Sequence, residues 1–305
     1  MSFEADQTVD RRRLKRQIGV WRLLAIGFAV ALVVVLAEWS GADRVVRGDY
    51  VAVLSVEGII TSNRQREEAL DRIAEDPHAT ALVVWVDSPG GGTYASEVLY
   101  RAIRRVAQEK PVVAVMGTVA ASGGYMTAIA ADYIVAREST LTGSIGVLWE
   151  ATNVVGLMET LGIESDTIKS APLKAQPSPF ERLSDAGRAA TQAVVDDTQR
   201  MFVAMVRERR SIRPVDMGMA ISGRVFTGRM AVELGLIDAL GGEREALAWL
   251  EEAQGVSADL PLLPVEIERE WPLGTPVASW FRKTFLPEEL NLDGLISVWQ
   301  PSNDL

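Results

Sequence analysis

The chain has no cysteine and a single histidine among its 305 residues. The first absence excludes disulfides and thiolate metal sites, and the second leaves a zinc site almost wholly to carboxylates, so neither metal nor cofactor is expected. His78 is also badly placed to act as a general base. It precedes the strand-like run Ala81–Asp87, whereas a glycine cluster that suits an active site follows that run. Seven residues at about 3.3 Å each put the imidazole roughly 20 Å away. Basic residues are scarce, 31 against 41 acidic, giving a formal net charge of −10. Residues 1–22 alone carry +3, so the remainder carries −13. An acidic body argues against nucleic acid as a partner, because phosphate contacts need Lys/Arg patches. Low-complexity tracts and internal duplications are absent too.

What is present begins with an apolar run, Leu23–Ala37, of 15 residues without a charge. Trp21 and Trp39 bracket it, as aromatic residues do at the two faces of a bilayer. A helix needs about 20 residues to span, so the ends of this one would lie among headgroups. Arg11, Arg12, Arg13, Lys15, Arg16 and Arg22 on its amino side predict a cytoplasmic N-terminus and an exported body. A cleaved signal peptide is the rival, since Val35-Leu36-Ala37 offers small residues at suitable spacing. The expected organisation is a basic cytoplasmic segment (1–17), a transmembrane signal anchor (18–39), a catalytic domain (40–255) and an aromatic-rich C-terminal tail (256–305).

In the body, Tyr50–Val56, Ala81–Val86 and Val112–Met116 read as strands, the last two near-continuously apolar as if covered on both faces. Gln65–Glu75 and Ala95–Gln108 have the three-to-four spacing of helices between them. Tyr133–Ala136 and Ile145–Leu148 are shorter strand candidates. Ser184 followed by Asp185 reads as the N-cap of a long helix to about Arg210, and Arg244–Ala253 as another helix. The alternation predicts an α/β fold with a parallel sheet and helices packed outside it.

Two segments carry chemistry. Ser88-Pro89-Gly90-Gly91-Gly92 follows a buried strand, and glycines there permit a sharp turn and uncovered N–H groups, as an oxyanion hole requires. Gly90-x-Gly92-x-x-Ala95 also fits a dinucleotide fingerprint, but the next strand ends in Gly117-Thr118 rather than in the acid a ribose needs. Ser122 lies in Ala120-Ala121-Ser122-Gly123-Gly124, between a strand and a predicted helix start whose free N–H groups suit developing charge. Gly-x-Ser-x-Gly is absent, which excludes the α/β-hydrolase elbow. A serine needs a base, usually His and sometimes Lys. Lys174, in Ala171-Pro172-Leu173-Lys174-Ala175-Gln176-Pro177, is the candidate. A free lysine titrates near 10.4, and enclosure in an apolar site is what lowers that value toward neutrality. Taken singly, Ser122 is equally a plain helix start and Lys174 a solvated loop lysine.

Together and in this order, several motifs resemble bacterial signal peptide peptidase A. They are Val86-Asp87-Ser88-Pro89-Gly90-Gly91, Ala121-Ser122-Gly123-Gly124-Tyr125, Thr142-Gly143-Ser144-Ile145-Gly146-Val147 and Ile168-Lys169-Ser170 with Lys174 and Pro179-Phe180. Gly223-Arg224-Val225-Phe226-Thr227-Gly228 and Gly235-Leu236-Ile237-Asp238 complete the set, which covers about residues 50–245. The resemblance implies a Clp protease/crotonase-like spiral of ββα units behind an N-terminal transmembrane helix. It implies a membrane-anchored serine endopeptidase with Ser122 as nucleophile, Lys174 as base 52 residues later, Gly91 and Gly123 as oxyanion donors and Ser144 orienting the lysine. The family's usual Gly-x-Tyr-Lys before the base is here Ala171-Pro172-Leu173-Lys174, and Lys169 falls beside that position. Chain length suggests the short form with one catalytic domain. Also implied are apolar signal-peptide remnants as substrates, the inner membrane as location, and a homo-oligomeric ring whose neighbouring subunits share the dyad. Alternatives are a stomatin-operon-type Ser-Lys protease, a crotonase-like acyl-CoA enzyme and a catalytically silent membrane scaffold.

Overall fold

The computed structural model describes residues 21–22, 25–27 and 48–267, and the backbone of 296–298. Two compact units divide the chain, Met1–Arg47 and Gly48–Leu305. In the first, residues 21–22 and 25–27 are helical, with Trp21 and Ile26 exposed. No helix among the described residues is long and apolar enough to cross a membrane. The expected anchor, 18–39, lies outside the described residues except for those five.

Three long, bent, parallel strands organise the second unit: β1 (Tyr50–Ile60), β2 (Ala79–Gly92) and β3 (Val112–Ala121). The pairing changes register at Glu57/Ile59 on β1 and at Val86/Ser88 on β2. β3 makes the same break. Its Val113–Met116 pairs with β4 (Tyr133–Ala136), and its Val119–Ala121 pairs with β5 (Leu141–Gly143). Each long strand is therefore two segments at a bend, followed by a helix: α1 (Arg64–Glu75), α2 (Thr93–Glu109) and α3 (Gly123–Ala128). That repeat is the strand-strand-helix unit expected from the motifs.

Asp87 fixes the bend in β3. Its Oδ1 accepts the Val119 N–H at 3.0 Å, and a Cβ on residue 117 would stand 2.9 Å from its Cγ, so Gly117 is required there. Ser88–Gly92, expected as a turn, is instead the second segment of β2, with Gly90 and Gly91 opposite Ile59 and Ile60. Ile145–Leu148, expected as a strand, is not one; the short strand ends at Gly143. Ile145 is buried, and the exposed Leu148 makes only an isolated bridge rather than a strand.

The bends divide the sheet's neighbours. β6 (Val225–Thr227) runs antiparallel to β5, β7 (Ala239–Leu240) parallel to β4, and β8 (Leu262–Pro264) parallel to β1. β9 (Ile296–Val298) runs antiparallel to Gly90–Gly92. The sheet thus continues beyond residue 255, where the catalytic domain was expected to end. The remaining helices are α4 (Val155–Leu161), α5 (Asp185–Arg209), α6 (Pro214–Ala220), α7 (Gly228–Leu234) and α8 (Glu243–Gln254).

Both faces of the first segments of β2 and β3 are buried, which is why their sequences do not alternate. Val51, Val83, Val113 and Val115 pack with Ala246 and Leu250 of α8, while Ala52, Leu54, Leu82, Val84, Ala114 and Met116 are buried too. Tyr133 and Trp249 stack at 4.8 Å on the α8 side. Ser184 caps α5 through the Gly187 N–H at 3.0 Å. That helix is buried mainly near its C-terminal end, at Phe202, Met205 and Val206, and Val194 in its middle is exposed.

Candidate active site

Ser122 stands where β3 passes into α3, with φ 54° and ψ −116°. A non-glycine residue held there costs on the order of 1–3 kcal/mol, so the surroundings must over-determine it. They do. Its N–H donates to the Gly143 carbonyl at 2.8 Å, and its carbonyl accepts the Met126 N–H at 2.9 Å. The hydroxyl does not cap α3; it donates to the Gly146 carbonyl at 3.4 Å. The residue is 1% exposed.

Close approach of backbones explains the glycines around it. A Cβ on Gly123 would lie 2.3 Å from Ser96 Oγ and 3.2 Å from the Gly91 nitrogen. One on Gly124 would lie 2.5 Å from the Ser88 carbonyl oxygen, and one on Gly91 2.1 Å from that of Ile60. The β3–α3 junction therefore lies directly on the second segment of β2. Ser88 holds that segment in place: its Oγ donates to the Gly58 carbonyl at 2.6 Å and accepts the Gly90 N–H at 3.0 Å. Gly91 and Gly123, expected as the oxyanion pair, are thus brought together beside Ser122.

Ser144 is buried with φ 49°, and its N–H donates to the Arg224 carbonyl at 2.8 Å. It follows Gly143, the residue that anchors the Ser122 N–H. A Cβ on Gly143, whose φ is 82°, would meet the Phe226 ring at 2.7 Å. The Gly223–Gly228 motif thus acts as the backing of the Thr142–Ser144 turn. Gln199 of α5 reaches the same turn, donating to the Ile145 carbonyl at 3.3 Å with its Oε1 buried. Sequence reading missed Gln199, Ser96 and Asp87, because a polar residue on a helix or strand end carries no periodic signal.

Lys174 is placed differently. It is exposed, on a turn closed by its own N–H to the Ala171 carbonyl at 3.1 Å. Among the described residues its ammonium makes no hydrogen bond, to Ser122 or to any other group. Its neighbour Leu173 is exposed as well. Lys169 is the reverse, its side chain only 13% exposed and paired with Glu181. That pairing, then Thr167 and Gln176, holds the Glu181 carboxyl below its ordinary pKa. The surrounding stretch displays Trp149, Leu157, Leu161, Ile163, Ile168 and Phe180 to solvent.

His78 sits at the start of β2, half exposed beside Asp49 at 3.3 Å, at the far end of that strand from Gly91. Among the described residues no cluster of His, Asp and Glu could hold a metal ion.

Repeated strand-strand-helix units thus set a strained serine, Ser122, against a glycine-lined strand segment. The sequence profile of peptidase family S49 matches residues 104–257. A candidate protease of Synechocystis sp. is 35% identical over 211 residues, covering 68% of this chain and 76% of that one. The chloroplastic serine protease SPPA of Arabidopsis thaliana is 31% identical over 97% of this chain, which spans 43% of that protein. Protease 4 of Salmonella typhi is 36% identical over 64% of this chain and 31% of its own length. Among solved structures, a mutant of the membrane-bound stomatin-specific protease 1510-N matches 73% of this chain and 100% of its own at 18% identity, with a TM-score of 0.46. The chain belongs to peptidase family S49, the signal peptide peptidase A family, and is a serine protease.

Proposed function

We propose that this chain is a membrane-anchored endopeptidase with a Ser122–Lys174 dyad, assembled as a ring in which one subunit supplies the serine and its neighbour the lysine. The observation that carries this reading is the contrast between the two residues. Ser122 is buried and strained against paired glycine N–H groups, while Lys174 is displayed on an exposed, apolar arm of the same chain. A base built to serve its own subunit would not be turned outward.

In the proposed reaction, neutral Lys174 takes the Ser122 Oγ proton as Oγ bonds to the scissile carbonyl carbon. The Gly91 and Gly123 N–H groups hold the resulting oxyanion, and Ser144 orients the lysine. The C–N bond breaks and the ammonium returns its proton to the leaving amine. Water then gives a proton to Lys174 and its oxygen to the acyl carbon; Ser122 Oγ leaves with that proton, and a new carboxylate is released. Names of relatives, and the apolar surface near Lys174, favour cleaved signal peptides and other apolar peptides as substrates. The basic cluster before Leu23 favours an inner-membrane anchor with the N-terminus cytoplasmic and the body outside.

Mixing tests the sharing directly. Ser122→Ala and Lys174→Ala subunits, each inactive alone, should regain peptide cleavage when dissociated and reassembled together. No recovery from verified mixed assemblies would confine the dyad to one chain. A serine-directed phosphonate should label Ser122; absence of labelling would favour the acyl-CoA enzyme or the silent scaffold. Protease added to spheroplasts should reach the body, and full protection would reverse the topology.

A further inference from the structure

The mechanism leaves unused the most enclosed lysine of the arm. Lys169 turns inward to Glu181, while its neighbour Ile168 is 96% exposed. A charged side chain inside and an isoleucine outside is the reverse of what solvation alone would select. The pair also closes a loop, because Lys169 precedes and Glu181 follows the turn that carries Lys174.

Further bonds tie that closure to the rest of the subunit. The Glu181 carbonyl accepts from Asn153 Nδ2 at 2.6 Å, just before α4. Gln176, which also bonds the Glu181 carboxylate, accepts from Ser184 Oγ at 2.7 Å, and Ser184 caps α5. Gly187 leaves room beside it, since a Cβ there would lie 2.0 Å from Gln176 Oε1 and displace that side chain. The C-terminal side of the Lys174 loop is thus held beside α4 and α5, and the Lys169–Glu181 pair ties its N-terminal side to the same anchor.

We propose that the Lys169–Glu181 pair is a clamp that fixes where the Lys174 ammonium is presented, making Lys169 and Glu181 positioning residues for the Ser-Lys reaction. The inference rests on the Ser122–Lys174 reading above. A base delivered to another subunit gains nothing from that subunit's packing until it arrives, so its own loop must set its direction. Misplacing a reacting group by about 1 Å can cost about a hundredfold in rate. The clamp also gives the two lysines separate places: Lys169 is paired with Glu181, while Lys174 stands exposed on the turn between them.

The test uses the full-length protein in detergent, with an apolar fluorogenic peptide as substrate. Lys169→Met and Glu181→Gln should each lower kcat by about 10- to 100-fold, with KM within about twofold and assembly size unchanged. The charge-exchanged variant Lys169→Glu/Glu181→Lys should recover about tenfold over either single variant, because it rebuilds the pair without a lysine at 169. Unchanged kcat in the single variants overturns the clamp. So does an exchanged variant no better than Lys169→Met, as would occur if Lys169 were itself the base. A loss that disappears on assaying well below the melting temperature also overturns it, since the pair would then serve stability alone. Wild-type protein that neither cleaves peptide nor takes the phosphonate fails the Ser-Lys reading itself, a result distinct from these three.

Discussion

Gly123 approaches Gly91 so closely that a methyl group on it would stand 3.2 Å from the Gly91 nitrogen. The same methyl would collide with Ser96 Oγ at 2.3 Å, so one substitution carries two consequences that can be separated. Gly123→Ala should lower both the melting temperature and kcat/KM. Adding Ser96→Ala removes the hydroxyl and should restore much of the stability. Activity should stay about 10²- to 10³-fold down, the usual cost of losing one oxyanion donor. Full recovery of the rate in the double variant would show that the Gly91 N–H is not a donor.

Ser122→Ala and Lys174→Ala should each remove nearly all peptidase turnover, and the double variant should be little worse than either. Residues acting as one unit lose function non-additively. His78→Ala should leave the shape of the pH–rate profile intact, since the imidazole sits half exposed at the opposite end of β2. A profile that loses a limb in that variant would move the base away from lysine.

Stability in acid should depend on Glu245. The Gly242 N–H donates to its Oε2 at 2.7 Å, and with the adjoining Arg244 this lowers the carboxyl from 4.5 to about 2. A folded value below the unfolded one gives stabilisation that is present above about 4.5 and lost as pH falls toward 2. The bond starts α8, which carries Ala246 and Leu250 into the sheet. Glu245→Gln should therefore melt lower than wild type at pH 7 and converge with it near pH 2. A gap that persists at pH 2 would assign the effect to packing instead.

The first segments of β2 and β3 were legible because apolar residues buried on both sides leave an unbroken run, and that of β1 because apolar and small residues alternate along it. Tyr133–Ala136 was legible for the same reason as β2 and β3. Their second segments were not. Ser88–Gly92 is rich in the residues that make turns, yet here the glycines serve close strand-to-strand and strand-to-helix approach. Ser122 and Gly91 could be nominated from motifs, but their meeting depends on the register that sets Ser88 opposite Ala120. The Lys174 arm was least legible. Its apolar residues face outward and follow no period, and the Lys169–Glu181 pairing crosses a loop that no helical or strand spacing encodes.

The tail offers the last test. Its residues 296–298 pair antiparallel with Gly90–Gly92, with Ser297 opposite Gly91. An extended peptide that offers its scissile carbonyl to the Gly91 N–H would add to the same backbone edge, since strand addition is how extended peptides gain main-chain bonds. Tail and substrate would then compete for one rail. Deleting residues 271–305 should lower KM for an apolar peptide severalfold and leave kcat near the wild-type value. A synthetic peptide of residues 291–303, added back, should raise the apparent KM in a competitive pattern. Gel filtration of the same variant asks whether the tail also contributes to assembly, and a smaller assembly with lower kcat would mark that contribution. If assembly is intact and KM does not move, the substrate must reach Ser122 along another edge.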